Sequence, residues 1–583
     1  MKLSKVNKHL LFYVLLIIVI IVFSLPSIAP LFHSGFFQSD DGEWMIIRFA
    51  SFYSALKDLQ FPVRYLPNLN YGYGYPVANF LYPGFMYLAT PIHVLGFGFV
   101  DTIKIIFILS MVGSAVFCYL WLLKFFDKLS SFVGALFYLY TPYHLFDLYK
   151  RGSVGEVLSL AVVPFLLWQL EKKNLFWSAI GIAFLILSHN TLSVLFLGLI
   201  LAYISLDIYV SKEKKGLLRW YFPIIMFGLG ISSFFWIPAF FELQYTVFSQ
   251  IQISEWYKYF AGADLIGLST IFILLLTAVF FVTSRIQIKK HRLTLLLFII
   301  GLVSFLFSSP LSTAFWKILP VSFIQFPFRF LSLTIVCVSF LVASILDVLN
   351  PRHSRERSDS RISNGNKRLW TSQSDSLKSF VLGAILIILL ATSAFQYLKP
   401  SEFFNKGEGF YATNMDSTTV RNEYMPKWVK EKPVERFVEK VEIVEGLGTV
   451  KKVSYNSKKI AFDVSAEENM EVRINTIYYP GWSALVYPSL CHPDQAKPEK
   501  DLVRFFARLG GSQNDNDCKG EELVIDYSNE KGVMELVLPK GEGNVELTFS
   551  ETPLRLTSNL ISILSLLAVL FLGFRYLRKS LSV

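Results

Sequence analysis

Long apolar runs return along this chain at intervals, separated by short basic clusters, and that alternation restricts the solvent it can fold in. The stretch LFYVLLIIVIIVFSLPSIA follows the basic MKLSKVNKHL directly. It is long enough to cross a hydrocarbon layer about 30 Å thick, which takes roughly 20 residues at 1.5 Å each. Only helices and closed barrels satisfy their own backbone hydrogen bonds in lipid, and unbroken runs of this length read as helices. Over 583 residues, a content of 53% hydrophobic and 17% charged side chains agrees with a polytopic α-helical membrane protein.

The formal charge of +11 raises the alternative of a nucleic-acid partner. The basic residues, however, stand in short loops between apolar runs, where the positive-inside rule accounts for them, so no nucleic-acid partner is expected. Four cysteines show neither CxxC nor Cys/His spacing, which argues against a structural zinc site.

The first run reads as a retained helix rather than a cleaved signal, because no small-residue cleavage site follows it. Placing its basic flank inside puts the next polar stretch, FFQSDDGEWMIIRF, outside. Residues 124–128, 171–173, 211–219, 284–292 and 350–368 carry the later basic loops and belong inside. Residues 149–156, 188–190, 242–264 and 308–329 then fall outside, and the alternation predicts about twelve transmembrane helices. Both termini are expected in the cytoplasm of a multi-pass cell-membrane protein.

Four divisions follow. Residues 1–398 form a transmembrane domain whose first outer loop spans 30–100. Within that loop, residues 79–99 carry Pro83, Pro91 and the GFGF turn and read as a re-entrant or interfacial helix. Residues 350–378 lack apolar side chains to bury and are expected to be a disordered cytoplasmic loop. Residues 399–555 alternate apolar and polar side chains at the strand period, as in KKIAFDVSA and NVELTFS, predicting an extracytoplasmic β-sandwich domain. Residues 556–583 supply a last helix and a basic tail. Cys491 and Cys518 lie in the β-rich region, where the spacing permits a disulfide without requiring one.

The predicted outer loops hold many polar groups for so apolar a chain: Asp40, Asp41, Glu43, Arg48, Arg64, Arg151, Glu156, His189, Asn190, Glu255, Gln325 and Arg329. Each has a plain reading taken singly. Arg48 and Arg64 would pair with local acids, His189 and Asn190 would satisfy helix ends, and Arg329 would snorkel. Taken together, charges at a membrane edge are costly, and their convergence on one side marks a site. A carboxylate can take a proton from an acceptor hydroxyl or bind a metal, and arginines can hold a phosphate leaving group. No GxSxG, Walker loop or HExxH motif competes.

The run FPVRYLPNLNYGYGYPVANFLYPGFMYLATP, with TPYHLFDLYKRGSVGE, LSHN, FPFRF, YYPGW and TPLR, resembles GT-C-type membrane glycosyltransferases, in particular the YfhO-like and the 6-pyruvoyl-tetrahydropterin synthase-related membrane families. The resemblance implies a GT-C-like fold and transfer of a sugar from a polyprenyl-phosphate-linked donor to a glycan, lipid or protein acceptor. An aspartate of the first outer loop serves there as general base or metal ligand. Asp41 matches it by its spacing to Arg48, with Asp40 as neighbour and substitute, while Met45 stands where many relatives carry a histidine. A divalent metal, Mg or Mn, stays open on this reading.

The mechanism expected is displacement at the anomeric carbon with inversion. Asp41 acts as base, and one or more of Arg151, Arg329 and Arg64 hold the donor phosphate. Glu156, His189 and Asn190 are second candidates, for contact with the acceptor or sugar or, for Glu156 and His189, with a metal. Tyr73 and Tyr75 in the aromatic loop offer stacking faces for sugar, with an interfacial aromatic belt as the plainer alternative. Two other classes compete: a transporter or flippase of lipid-linked saccharides, and a non-catalytic envelope scaffold.

Overall fold

The computed structural model describes residues 5–250, 255–287, 291–318, 324–349, 369–416, 422–488 and 520–581. Residues 350–368 of the expected cytoplasmic loop, and both Cys491 and Cys518, lie outside them.

Among the described residues six helices are long and apolar enough to cross a membrane: Val14–Phe32, Phe99–Leu122, Val154–Glu171, Asn190–Val210, Pro327–Leu349 and Pro553–Phe574. At 18 to 24 residues they extend about 27 to 36 Å, the thickness of a bilayer core. Two further spans arise if bent pairs are counted as one each. Lys214–Ile231 turns by 66° into Ser233–Tyr245, and Arg292–Ser308 turns by 85° into Pro310–Ile318. The described residues thus supply six to eight spans by length and composition, against the twelve expected. The difference has a physical origin. Leu175–Ser188 and Leu268–Val282 are apolar but only 14 and 15 residues long, short of the roughly 20 that a crossing takes. Val381–Tyr397 continues the 26-residue helix Leu369–Ala394, so residues 369–378 are helical and not the expected disordered loop. The segment 79–99 contains Gly84–Val94, an 11-residue helix, likewise too short to cross.

Burial sorts the spans. In Pro327–Leu349 and Val154–Glu171, 89% and 83% of the span is buried, whereas Val14–Phe32 and Pro553–Phe574 are 28% and 17% buried. The two central helices therefore bring their polar ends into the middle of the protein, and these ends are FPFRF and RGSVGE.

Strands concentrate between Val441 and Phe549. A five-stranded antiparallel sheet runs in the order Gly448–Tyr455, Lys459–Ala466, Gly541–Phe549, Trp482–Pro488, Glu521–Leu523. A second sheet orders Val441–Glu445, Met470–Ile477 and Val533–Leu538. Lys459–Ala466 alternates half-buried and buried residues, the pattern of a sheet with one face covered. Phe462, Val464 and Leu547 of the first sheet join Val472, Ile474 and Leu536 of the second in one apolar cluster. This domain docks on the first loop: Ile477 N donates to Tyr73 O at 2.7 Å, and Phe36–Phe37 pairs with Phe403–Phe404 as two short strands.

Candidate functional site

The SDD turn lies between Phe36–Phe37 and the helix Gly42–Lys57, and its backbone is held by a partner far along the chain. Asp40 N donates to Lys150 O at 2.9 Å and Asp41 N to Arg151 O at 2.8 Å. Lys150 and Arg151 belong to a single π-helical turn, Asp147–Arg151, a distortion that recurs at functional sites. Gly152 ends that turn in the left-handed region, at φ +61. A Cβ there would lie 2.4 Å from Ser39 Oγ and 2.8 Å from Gly42 N, so only glycine lets the two turns approach this closely.

This pairing sets the side chains. Arg151 Nη2 donates to Asp41 Oδ2 at 2.9 Å and stands 3.6 Å from Glu156 Oε1. Glu156, fully buried in the first turn of Val154–Glu171, offers that same oxygen to Arg329, whose Nε and Nη2 both lie 3.0 Å away. His189 Nε2 is 3.6 Å from it, and Tyr143 Oη donates to Oε2 at 3.3 Å. Arg329 comes from the one-turn Pro327–Phe330 helix and is steadied by Nη1 donating to Ile324 O at 2.9 Å and Gln325 Oε1 at 2.8 Å. The Phe326 ring covers both guanidinium groups, 5.1 Å from Arg151 and 4.8 Å from Arg329. At such distances a ring face attracts a cation without removing its hydrogen-bonding capacity.

His189 caps the helix Asn190–Val210. Leu192 N donates to its Nδ1 at 3.2 Å, which leaves the ring proton on Nε2, toward Glu156. Asn190 donates to Phe80 O at 2.8 Å. Asn190 thus ties the Leu175–Ser188/Asn190–Val210 corner to the first loop. His189 performs the helix-end duty the sequence allowed for both, and its ring meets Tyr82 of the first loop at 4.7 Å and reaches the cluster.

At the rim, the Asp41 side chain is 32% exposed and that of Asp40 45%. Burial raises the Asp40 carboxyl above its ordinary range against the pull of Arg151 and Lys150. Two carboxyls that the sequence reading had not assigned sit nearby. Asp147 is buried in the π-turn, where burial and the charge of Glu156 push its carboxyl well above the ordinary range. Glu423 is pushed up to about 7 by burial, while Arg48 and Arg329 pull it down and Asp41 pushes it up. Asp147 was visible inside TPYHLFDLYKRGSVGE. Glu423 stands in a stretch rich in charges, where a further acid carries no signal.

Three expected residues lie elsewhere. Arg64 is 2% exposed, with Nε donating to Glu551 at 3.1 Å, Nη2 to Asn559 at 3.0 Å and Nη1 to Phe234 O at 2.7 Å. Its guanidinium is engaged away from Asp41 and holds the first loop to the last helix. Tyr75 is buried with its hydroxyl accepting from Tyr424 N at 3.1 Å. Tyr73 packs edge-on against Phe437 at 5.3 Å, beside a separate cavity.

A divalent metal does not fit this donor set. Among the described residues no three His, Cys, Asp or Glu side chains converge. Asp41 and Glu156 already accept from arginines, and Met45, at the position where a histidine was expected, takes Arg48 Nη1 on its sulfur at 3.5 Å. Hard cations need several free oxygens.

The oligosaccharyltransferase of Archaeoglobus fulgidus, in its apo crystal form, is similar over 69% of this chain and 57% of that one, with 13% identity and a TM-score of 0.40. The mycobacterial arabinofuranosyltransferase AftD is similar over 70% of this chain and 28% of its own, again with 13% identity and a TM-score of 0.40. An uncharacterized protein of Lactococcus lactis subsp. cremoris (strain MG1363) is 26% identical over 246 residues, 39% of each chain. The chain thus matches about two-fifths of that curated relative's length. Residues 81–399 match the 6-pyruvoyl-tetrahydropterin synthase related domain, described as a membrane protein. That match holds more than half of the chain, including Arg151, Glu156, His189 and Arg329, and the protein belongs to this membrane family.

Proposed function

We propose that the protein is a membrane glycosyltransferase of GT-C type that moves a sugar from a polyprenyl-phosphate-linked donor to an extracytoplasmic glycan, lipid or protein acceptor. The observation that carries this reading is the contact of a partly exposed carboxylate, Asp41, with Arg151 at 2.9 Å, backed by Arg329 through the shared oxygen of Glu156. A base at the rim of a paired-guanidinium nest suits a reaction that takes up one proton and releases one phosphate.

In the step proposed, Asp41 accepts the proton of the acceptor hydroxyl. The hydroxyl oxygen bonds to the anomeric carbon from the face opposite the lipid phosphate, the bond from that carbon to the phosphate oxygen breaks, and the phosphate leaves with the electron pair. Arg151 and Arg329 stabilise the charge that develops on it, and inversion follows from the in-line geometry. Glu156 positions both guanidinium groups. Asp40 is the alternative base, and no step runs through a metal.

The two bent helix pairs favour a second reading, transport of a lipid-linked saccharide, since broken helices line many transport sites. One experiment separates the two. Purified protein is given a panel of polyprenyl-phosphate sugars with membrane-glycan extract, beside Asp41→Asn and Asp40→Asn, and donor loss is followed by mass spectrometry. Transfer predicts donor consumption that stops in one variant while its folding is intact. Donor binding without consumption in all three proteins selects transport and overturns the proposal.

A further inference from the structure

A cavity of about 250 Å³ lies where the first loop meets the β-domain. It is remote from Asp41. Asp41 caps the start of the helix Gly42–Lys57, whereas Ser54 and Asp58, at the other end of that helix, line the cavity. Thirteen to seventeen residues at 1.5 Å each separate the two by about 20 to 26 Å.

The walls of the cavity alternate ring faces and polar groups. Tyr73 and Tyr455 line it together with Lys440, Thr476 and Trp482. Lys440, 8% exposed, donates through Nζ to Gly72 O at 3.0 Å and Asn475 O at 2.7 Å. Burial and Arg436 push the Lys440 ammonium down to about 7, and Nζ lies over the Phe437 and Tyr455 rings at 4.7 and 5.3 Å. Beyond its two carbonyl bonds it therefore offers a guest either an N–H or a lone pair. Thr476 and Trp482 are 3% and 6% exposed, and Thr476 Oγ1 and Trp482 Nε1 have no hydrogen-bond partner. Buried polar groups are nearly always paired, and an orphan calls for an explanation. Two orphans on one cavity, beside a buried lysine, have a common explanation in a ligand.

The ligand's chemistry follows from the wall. An apolar guest would leave these donors unsatisfied. The wall carries both signs, Arg436 and Lys440 against Asp58, which suits a polar guest of low charge better than a bare anion. A sugar ring presents an apolar C–H face to the aromatic rings and a rim of hydroxyls to Lys440, Thr476 and Trp482. Pockets for drug-sized ligands run from about 300 Å³ upward, so this cavity holds about one ring of a longer chain.

We infer that this cavity is a saccharide-binding site, taking one sugar unit of a glycan chain at a point remote from Asp41. Its use, to hold an acceptor glycan while another part of the chain reaches Asp41, rests on the proposed function; the binding itself does not.

The test uses the full-length protein in nanodiscs on a printed array of defined neutral-hexose, N-acetylhexosamine and uronic-acid oligosaccharides, beside Thr476→Val, Tyr455→Ala and Asp41→Asn. Thr476 Oγ1 makes no bond and Tyr455 is half exposed, so both variants should fold, as a thermal melt checks. The expected result is binding to one class of chain, at least tenfold weaker in Thr476→Val and Tyr455→Ala and unchanged in Asp41→Asn. No binding to any chain, or binding indifferent to both cavity variants, overturns the inference. Equal loss in Asp41→Asn also overturns it, by placing the glycan at the Asp41 centre. Retained binding with no sugar transfer by the wild type leaves this site standing and removes the proposed function alone.

Discussion

Two buried charge clusters each tie the first loop to distant parts of this protein, and they are built differently. Around Glu242, every carboxylate oxygen is occupied: Arg555 donates Nε to Oε1 at 2.8 Å and Nη2 to Oε2 at 2.7 Å, while Tyr479 and Asn79 donate to Oε2 at 2.9 and 2.8 Å. Glu242 and Arg555 are 3% and 0% exposed. That cluster closes the broken helix, the first loop, the β-domain and the last helix on one another. Around Glu156 the accounting is open. One oxygen serves Arg151, Arg329 and His189, Arg151 Nε has no hydrogen-bond partner, and Asp41 keeps a third of its side chain accessible. Each cluster keeps one unpartnered guanidinium nitrogen, Arg555 Nη1 in the first and Arg151 Nε in the second. The difference lies in the acids, since Glu242 is buried and held bidentate whereas Asp41 reaches the surface beside a crowded Glu156 and is open to a ligand. The first arrangement serves as a latch and the second suits a site.

Removing one charge from each cluster should separate these roles. Asp41→Asn is expected to lower sugar transfer by roughly 10² to 10⁴-fold, the range for loss of a general base, with little change in a thermal melt. A melt that collapses with the activity would make Asp41 a structural residue and erase the contrast. Arg555→Met should do the reverse. It strands Glu242 in the interior, and breaking one side of a buried pair costs about 3 to 5 kcal/mol. Adding Glu242→Gln to Arg555→Met should recover part of the loss, because the stranded charge goes with it. Double-mutant stability equal to that of Arg555→Met would show that the pair itself is not what holds these elements.

The difference between the clusters also explains what could be read from the chain. Asp41, Arg151, Glu156, His189 and Arg329 stood out as charges or an imidazole beside apolar runs, and the high cost of leaving such groups unpaired there makes their mutual contact a reasonable expectation. The latch gave no such cue. Arg555 meets Glu242 across 313 positions, and Arg64, for which a local acid was the plain reading, instead meets Glu551 across 487. Glu423 was hidden for the opposite reason, since acids are common after Lys399. Span counting ran high because short apolar helices such as Leu175–Ser188 and Leu268–Val282 read like full crossings, and bends inside a span left little mark. Ser232 and the Ser309–Pro310 step interrupt apolar sequence by only a residue or two, yet they accompany bends of 66° and 85°.

Glu423 sharpens the comparison through pH. Its folded-state value of about 7 lies above the ordinary glutamate value near 4.5, so the folded protein holds this proton while the unfolded chain releases it. The resulting stability is present in full below about pH 4.5 and is lost as pH rises to 7, by about 3 kcal/mol at most. Glu423→Gln cannot ionise. It should therefore match the wild type at pH 4 and melt higher than the wild type at pH 8. If the carboxyl also takes part in transfer, a limb of the pH–rate profile near 7 disappears in the same variant. Parallel melting of the two proteins from pH 4 to 8 would show Glu423 to be solvated and outside the open cluster.

The smallest change with a readable effect is at Gly152, which tests whether the open cluster depends on backbone register. Alanine at φ +61 costs about 1 to 2 kcal/mol in itself, and its Cβ would stand 2.8 Å from Gly42 N, a backbone atom that cannot rotate away. The SDD turn must then shift relative to Arg151, and displacements of about 1 Å at a reacting group can lower rates by roughly 10²-fold. Gly152→Ala is expected to reduce transfer about ten- to a hundredfold with only a modest drop in the melt. Ser39→Ala removes the Oγ contact at 2.4 Å but not the one to Gly42 N, so adding it to Gly152→Ala should restore only part of the activity. Full activity in Gly152→Ala would mean that the bonds from Asp40 N to Lys150 O and Asp41 N to Arg151 O are incidental, and that Asp41 reaches Arg151 by side-chain freedom alone.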